Sequence, residues 1–166
     1  MSTLQNFINI KRLNLNNFCI FKTYFATMKF QSILTSLFYL LIYADDNVNE
    51  KELAIGKQMA NTEGFDEQAF NKELESIKSK DHKALLSDCI EGLKKLDTAS
   101  QIRCIAWLCV VANGDGFMDK GEWTLIYKIY HTELGLPIGE IMEVQKELNK
   151  IIHGRSFQSI GVRVNE

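Results

Sequence analysis

The chain has 166 residues and a mass of 19.0 kDa, enough for one domain with a core of its own and well above the size that depends on disulfide or metal staples. With 46% apolar and 24% charged residues, wholesale disorder and a polytopic membrane protein are both excluded, and a single proline with ten glycines favours long helices over a sandwich or barrel. The net charge is −2, unevenly spread: residues 1 to 44 carry Lys11, Arg12, Lys22 and Lys29 and no acid, a charge of +4 against −6 for the remainder. No basic stripe for nucleic acid results, because Lys78 to Lys83 and Lys94-Lys95 are few and interleaved with acids, and they read as solvated helix ends.

In chain order, residues 1 to 28 form a poorly patterned extension, rich in Asn and Phe, with no period of 3.6 or 2. Met28 offers a second start. From Phe30 to Ala44 the chain is uncharged, and three readings stay open. One is a signal peptide cut after Ala44, against which Ile42 stands where a small residue is preferred. Another is a membrane anchor, for which the run is short unless it reaches back to Thr23 and tolerates Lys29. The third, preferred here, is a buried first helix with Ile33, Leu34, Leu37, Leu40 and Leu41 on its apolar side.

The pattern predicts an all-α single bundle of about seven helices, at about 29–44, 49–63, 66–78, 82–95, 99–114, 119–134 and 138–152. Ile102, Ile105, Ala106, Cys109 and Val110 make the apolar stripe of the fifth, and Leu125, Ile126, Ile129 and Tyr130 that of the sixth. Gly135 reads as a helix stop and Pro137 as a helix start. Residues 153 to 166 are expected to be a coil tail. Cys19, Cys89, Cys104 and Cys109 form no C-x-x-C pair and read as reduced core thiols.

The sequence repeats itself at an offset of 70 residues, which sets Ala44 to Glu52 on Gly114 to Glu122, and Leu37, Leu40 and Leu41 on Trp107, Val110 and Val111. Downstream, Thr62-Glu63-Gly64 falls on Thr132-Glu133 and, after one inserted residue, Gly135. Two copies suit two pseudo-symmetric halves of one bundle. Cleaving off the first helix would uncover the second half, which is the reason for preferring a buried helix.

Much of the repeated turn is helix-start chemistry. Asn49-Glu50-Lys51-Glu52 and Asp119-Lys120-Gly121-Glu122 are capping-box patterns, with Val48 and Leu53, and Met118 and Trp123, placed as hydrophobic staples. Asp45, Asp46 and Asp115 are not explained this way, since they fall where helix carboxyl ends disfavour negative charge. They are compensated either by Asx turns or by a divalent cation shared by both turns, with Asp45, Asp46, Glu52, Asp115, Asp119 and Glu122 as candidate ligands. Oxygen-only donors favour Ca²⁺, Mg²⁺ or Mn²⁺. An EF-hand loop is a third reading, but its first ligand position would be Val111, which has no side-chain oxygen.

The segments Leu40 to Glu52, Val110 to Glu122 and Glu133-Leu134-Gly135-Leu136 together resemble the TerB-like tellurite-resistance family, which carries an Ala-Asp-Gly, apolar, polar, x, x, Glu motif twice and a late Leu-Gly-apolar turn. The resemblance spans about residues 30 to 152. It implies an all-helical domain, cytosolic or at the inner face of a membrane, linked to stress resistance and to metal binding by acidic clusters. Asp45, Asp46, Glu52, Asp115, Gly116 and Glu122 match its motifs. Asp46 replaces a glycine of the first motif, and Asn113-Gly114 interrupts the Ala-Asp of the second.

The leading expectation is a non-catalytic TerB-like stress-response module over residues 29–152, cytoplasmic, acting through protein partners, with no nucleic-acid partner and no evident small-molecule substrate. The alternative is a membrane-tethered adaptor anchored through residues 1–44. An enzyme is disfavoured, because His82, His131 and His153 are widely spaced and lie in no nucleophile, zinc or phosphate-loop motif. Trp107 and Trp123 fall on apolar repeat positions and read as core.

Overall fold

The computed structural model describes residues 3–44, 48–114 and 116–160, and among them every regular element is helical. The elements are α1 (Thr3–Ile42), α2 (Glu50–Thr62), α3 (Glu67–Ile77), α4 (His82–Lys94), α5 (Thr98–Ala112), α6 (Lys120–Tyr127), a π-helical segment (Lys128–Glu133) and α7 (Ile138–Ile160).

Five helices begin on an Asx cap. Asp66, Asp81, Asp97 and Asp119 each accept from the amide three residues on, at 2.8 to 2.9 Å, and Asn49 accepts from Lys51 N–H at 2.9 Å. Each side chain takes one of the orphan amides of a first helical turn, which sets these starts locally. Gly64, Gly116 and Gly135 adopt φ of 69°, 90° and 62°, values closed to most side chains. At Gly135 the helix ends, with Leu136 N–H donating to Tyr130 O at 2.8 Å.

Two helices form the interior. Every residue of α1 from Leu34 to Ile42 is buried, including Thr35 and Ser36, and so is every residue of α5 from Cys104 to Ala112. The first helix is thus enclosed on all sides there, beyond the single apolar face expected. Around this pair, α1 packs on α3, α4 and α5, and α5 packs on α7 and α2. At the α1–α2 crossing, Gly56 faces the ring of Phe38 so closely that a Cβ would lie 2.2 Å from it. Cys89, Cys104 and Cys109 are free and buried. Burial raises the Cys89 and Cys109 thiols to about 11 and that of Cys104 higher still, so all three stay protonated. The Cys19 side chain lies outside the described residues.

Three expectations need correction. The N-terminal extension continues α1 back to Thr3, since residues 3 to 42 hold no glycine or proline to break a helix even without an amphipathic period. The expected coil after residue 152 is helix as far as Ile160, because one glycine, Gly154, costs a helix only about 1 kcal/mol. The sixth helix changes at Lys128 into a π-helical segment that ends at Glu133.

Candidate functional site

In the chain, the acidic segments follow α1 and α5. Of the six candidate ligands, Asp45, Asp46 and Asp115 lie outside the described residues. The other three stand in first turns. Glu52 of α2 and Glu122 of α6 have only 7% and 3% of their surface exposed, and Asp119 is the cap of α6. Asp119 N–H donates to Glu122 Oε2 at 2.9 Å, and Glu122 N–H donates to Asp119 Oδ1 at 2.9 Å, a complete capping box. The first turn differs from expectation: Asn49 reaches the second helical amide, of Lys51, and not the third.

A buried carboxylate needs compensation, and the amino end of a helix supplies part of it through its partial positive charge. Both glutamates occupy that place. Two glycines bring the turns of one copy onto helices of the other. A Cβ at Gly121 would lie 3.1 Å from the carbonyl oxygen of Ala44, and one at Gly114 would lie 2.3 Å from Ile55 Cδ1. Ala44 precedes Asp45-Asp46, and Gly114 precedes Asp115. The close approach explains glycine at 121, where a side chain would push the end of α1 away.

The donor set is carboxylate alone, which suits a hard cation. Among the described residues no three His, Cys, Asp or Glu side chains form a metal-holding group. Val111, first position of the EF-hand reading, is fully buried inside α5.

The tryptophans part company. Trp107 is wholly buried, and its Nε1 donates to Glu63 Oε1 at 2.6 Å beside the Arg103 guanidinium at 2.7 Å. Trp123, expected in the core, is 46% exposed. On α6 it faces outward beside Tyr127, at 6.0 Å between ring centroids, and Tyr127 stacks near His131 at 4.7 Å. Apolar patterning cannot tell the two apart, because a helix start also places an apolar staple residue at this position. His82, His131 and His153 are all exposed, and His82 Nε2 lies 3.4 Å from the Tyr39 hydroxyl.

Sequence reading missed a cleft beside the acidic turns, formed by α1, α4, α6 and the π-helical segment. The separate lysines that line it, Lys83, Lys120 and Lys128, carry no joint signal along the chain.

The described residues form an all-helical domain in which Glu52 and Glu122 are buried at the amino ends of α2 and α6. The profile of the family described as tellurite resistance protein TerB matches residues 31–146, more than half of the sequence. The chain belongs to the TerB family, whose members are generally non-catalytic. No match was found among curated proteins or among solved structures.

Proposed function

We propose that this chain is a non-catalytic module of the tellurite-resistance type that binds Ca²⁺, Mg²⁺ or Mn²⁺ where its two acidic turns meet and acts through protein partners in the cytoplasm. The observation that carries this reading is the contact of Gly121 with the Ala44 carbonyl, which brings the chain leading into Asp45-Asp46 beside the first turn of α6, with Asp119 and Glu122. A cation there offsets the mutual repulsion of carboxylates and their position at the ends of α1 and α5. The exposed aromatic run of Trp123 and Tyr127 supports the partner reading, since such residues are enriched in protein interfaces.

The test is calorimetric titration of chelator-treated protein with each ion, beside an Asp45→Asn, Asp115→Asn double variant of confirmed fold. Saturable binding lost in the variant is expected. No heat and no change in melting temperature at millimolar ion would reduce the turns to helix caps and sink the reading.

The membrane-tethered adaptor is the second reading, favoured by one observation: Lys22–Ile42 is 21 residues long with mean hydropathy 1.4, enough by length and composition to cross a bilayer. Half of that stretch is core, however, and Leu34 to Ile42 leave it only if the domain opens. A tether would therefore use the part of α1 before Ile33, where Tyr24 and Met28 are 63% and 51% exposed. Fractionation of the full chain decides this reading, and a wholly soluble protein ends it.

A further inference from the structure

The cleft next to the acidic turns has the make-up of a ligand site. Its volume is about 580 Å³, within the range of about 300–1,000 Å³ usual for small-molecule pockets. Leu40, Leu86 and Leu125, from α1, α4 and α6, contribute apolar surface, and the side chains of Lys83, Lys120 and Lys128 line it as well. No carboxylate is among the described residues that line it. Lys83, Lys120 and Lys128 make no ion pair among the described residues. Three lysines without an ion pair among the described residues, set along one partly apolar surface, raise the local positive potential.

We propose that this cleft binds a single-chain amphiphile with an anionic head: the head lies among Lys83, Lys120 and Lys128, and the hydrocarbon chain covers Leu40, Leu86 and Leu125. The polar and apolar surfaces together exclude a bare inorganic anion as the preferred ligand, because phosphate alone would leave the leucines exposed to water. They equally disfavour a neutral hydrocarbon, which would leave the lysines unpaired. This inference rests on residues other than those of the cation site and stands apart from it.

The experiment titrates the full chain with decanoate, decyl glucoside and decyltrimethylammonium, each below its micelle concentration, and separately with phosphatidylglycerol vesicles. Saturable one-to-one binding of decanoate, stronger than that of either other decyl compound, is expected. A Lys83→Ala, Lys128→Ala variant should weaken it about tenfold, from two partly solvated charge contacts. A Lys57→Ala, Lys150→Ala variant, with the same change of net charge on lysines outside the cleft, should leave it unaltered. Equal loss in both variants overturns the proposal, since only overall charge would then matter. So does preference for the cationic compound, which would mean that negative charge dominates the cleft. Binding to the vesicles with none to monomeric decanoate also overturns it, in favour of a membrane surface.

Discussion

At the start of α6, Asp119 and Glu122 exchange two hydrogen bonds of 2.9 Å; at the equivalent start of α2, Lys51 N–H donates to Asn49 Oδ1. The glutamate that follows is buried in both places, so the shared feature is a carboxylate sunk at a helix amino end, and the variable one is the cap above it. The helices leading into the turns differ in the same way. Leu37 and Trp107 are equivalent and both fully buried, but only the indole can hydrogen-bond Glu63 at the end of α2. Glu133, the counterpart of Glu63, instead pairs at 3.2 Å with Lys94 at the end of α4. Residues equivalent in the sequence repeat thus tie down different neighbours through their polar groups.

Replacing the central side chains should separate the copies most. Trp107→Ala is expected to lower unfolding free energy by about 3–5 kcal/mol, the range for a large aromatic removed from a core, with Leu37→Ala costing about 2–4 kcal/mol. Urea unfolding measures both. Equal costs would mean that the bond to Glu63 adds nothing to packing.

Caps should give a smaller difference. Asp119→Ala removes a complete box and is expected to cost about 1–2 kcal/mol, while Asn49→Ala is expected to cost about 1 kcal/mol or less. Reversal of that order in the same unfolding assay would show that the second turn gains no strength from its box.

The smallest effect concerns pH. Ser100, through its amide and its hydroxyl, holds the Asp97 carboxyl below the usual carboxylate range, whereas the Asn49 cap of α2 does not titrate. A folded value below the unfolded one stabilises above the ordinary aspartate range, near about pH 3.9, and that stability is lost as pH falls through the folded value. Asp97→Asn should therefore lower the melting temperature slightly at neutral pH, where the carboxylate's contribution is present, and flatten its fall on the acid side. An unaltered acid limb would place the acid sensitivity elsewhere.

Much of the fold was legible because its signals are local. An Asx residue caps a helix through amides two or three positions away, and Gly135 ends one through its own backbone, so the starts of α3 to α6 and the stop before α7 follow from neighbouring residues. The family motif was legible for the same reason, being made of caps, staples and turns. The amino-terminal half of α1 was not, since a helix without an amphipathic period leaves no pattern, only an absence of breakers. Trp123 misled because an exposed aromatic and a core aromatic look alike in one dimension.

Sequence alone thus determined where α2 to α7 begin, because those starts depend on interactions within a few residues. Only the tertiary structure decided that α1 from Leu34 to Ile42 and α5 from Cys104 to Ala112 are enclosed on every side, that Gly121 meets the Ala44 carbonyl, and that Lys83, Lys120 and Lys128 line one cleft. Such placements depend on how helices distant in the chain share a core, and no local pattern records which faces they turn to one another.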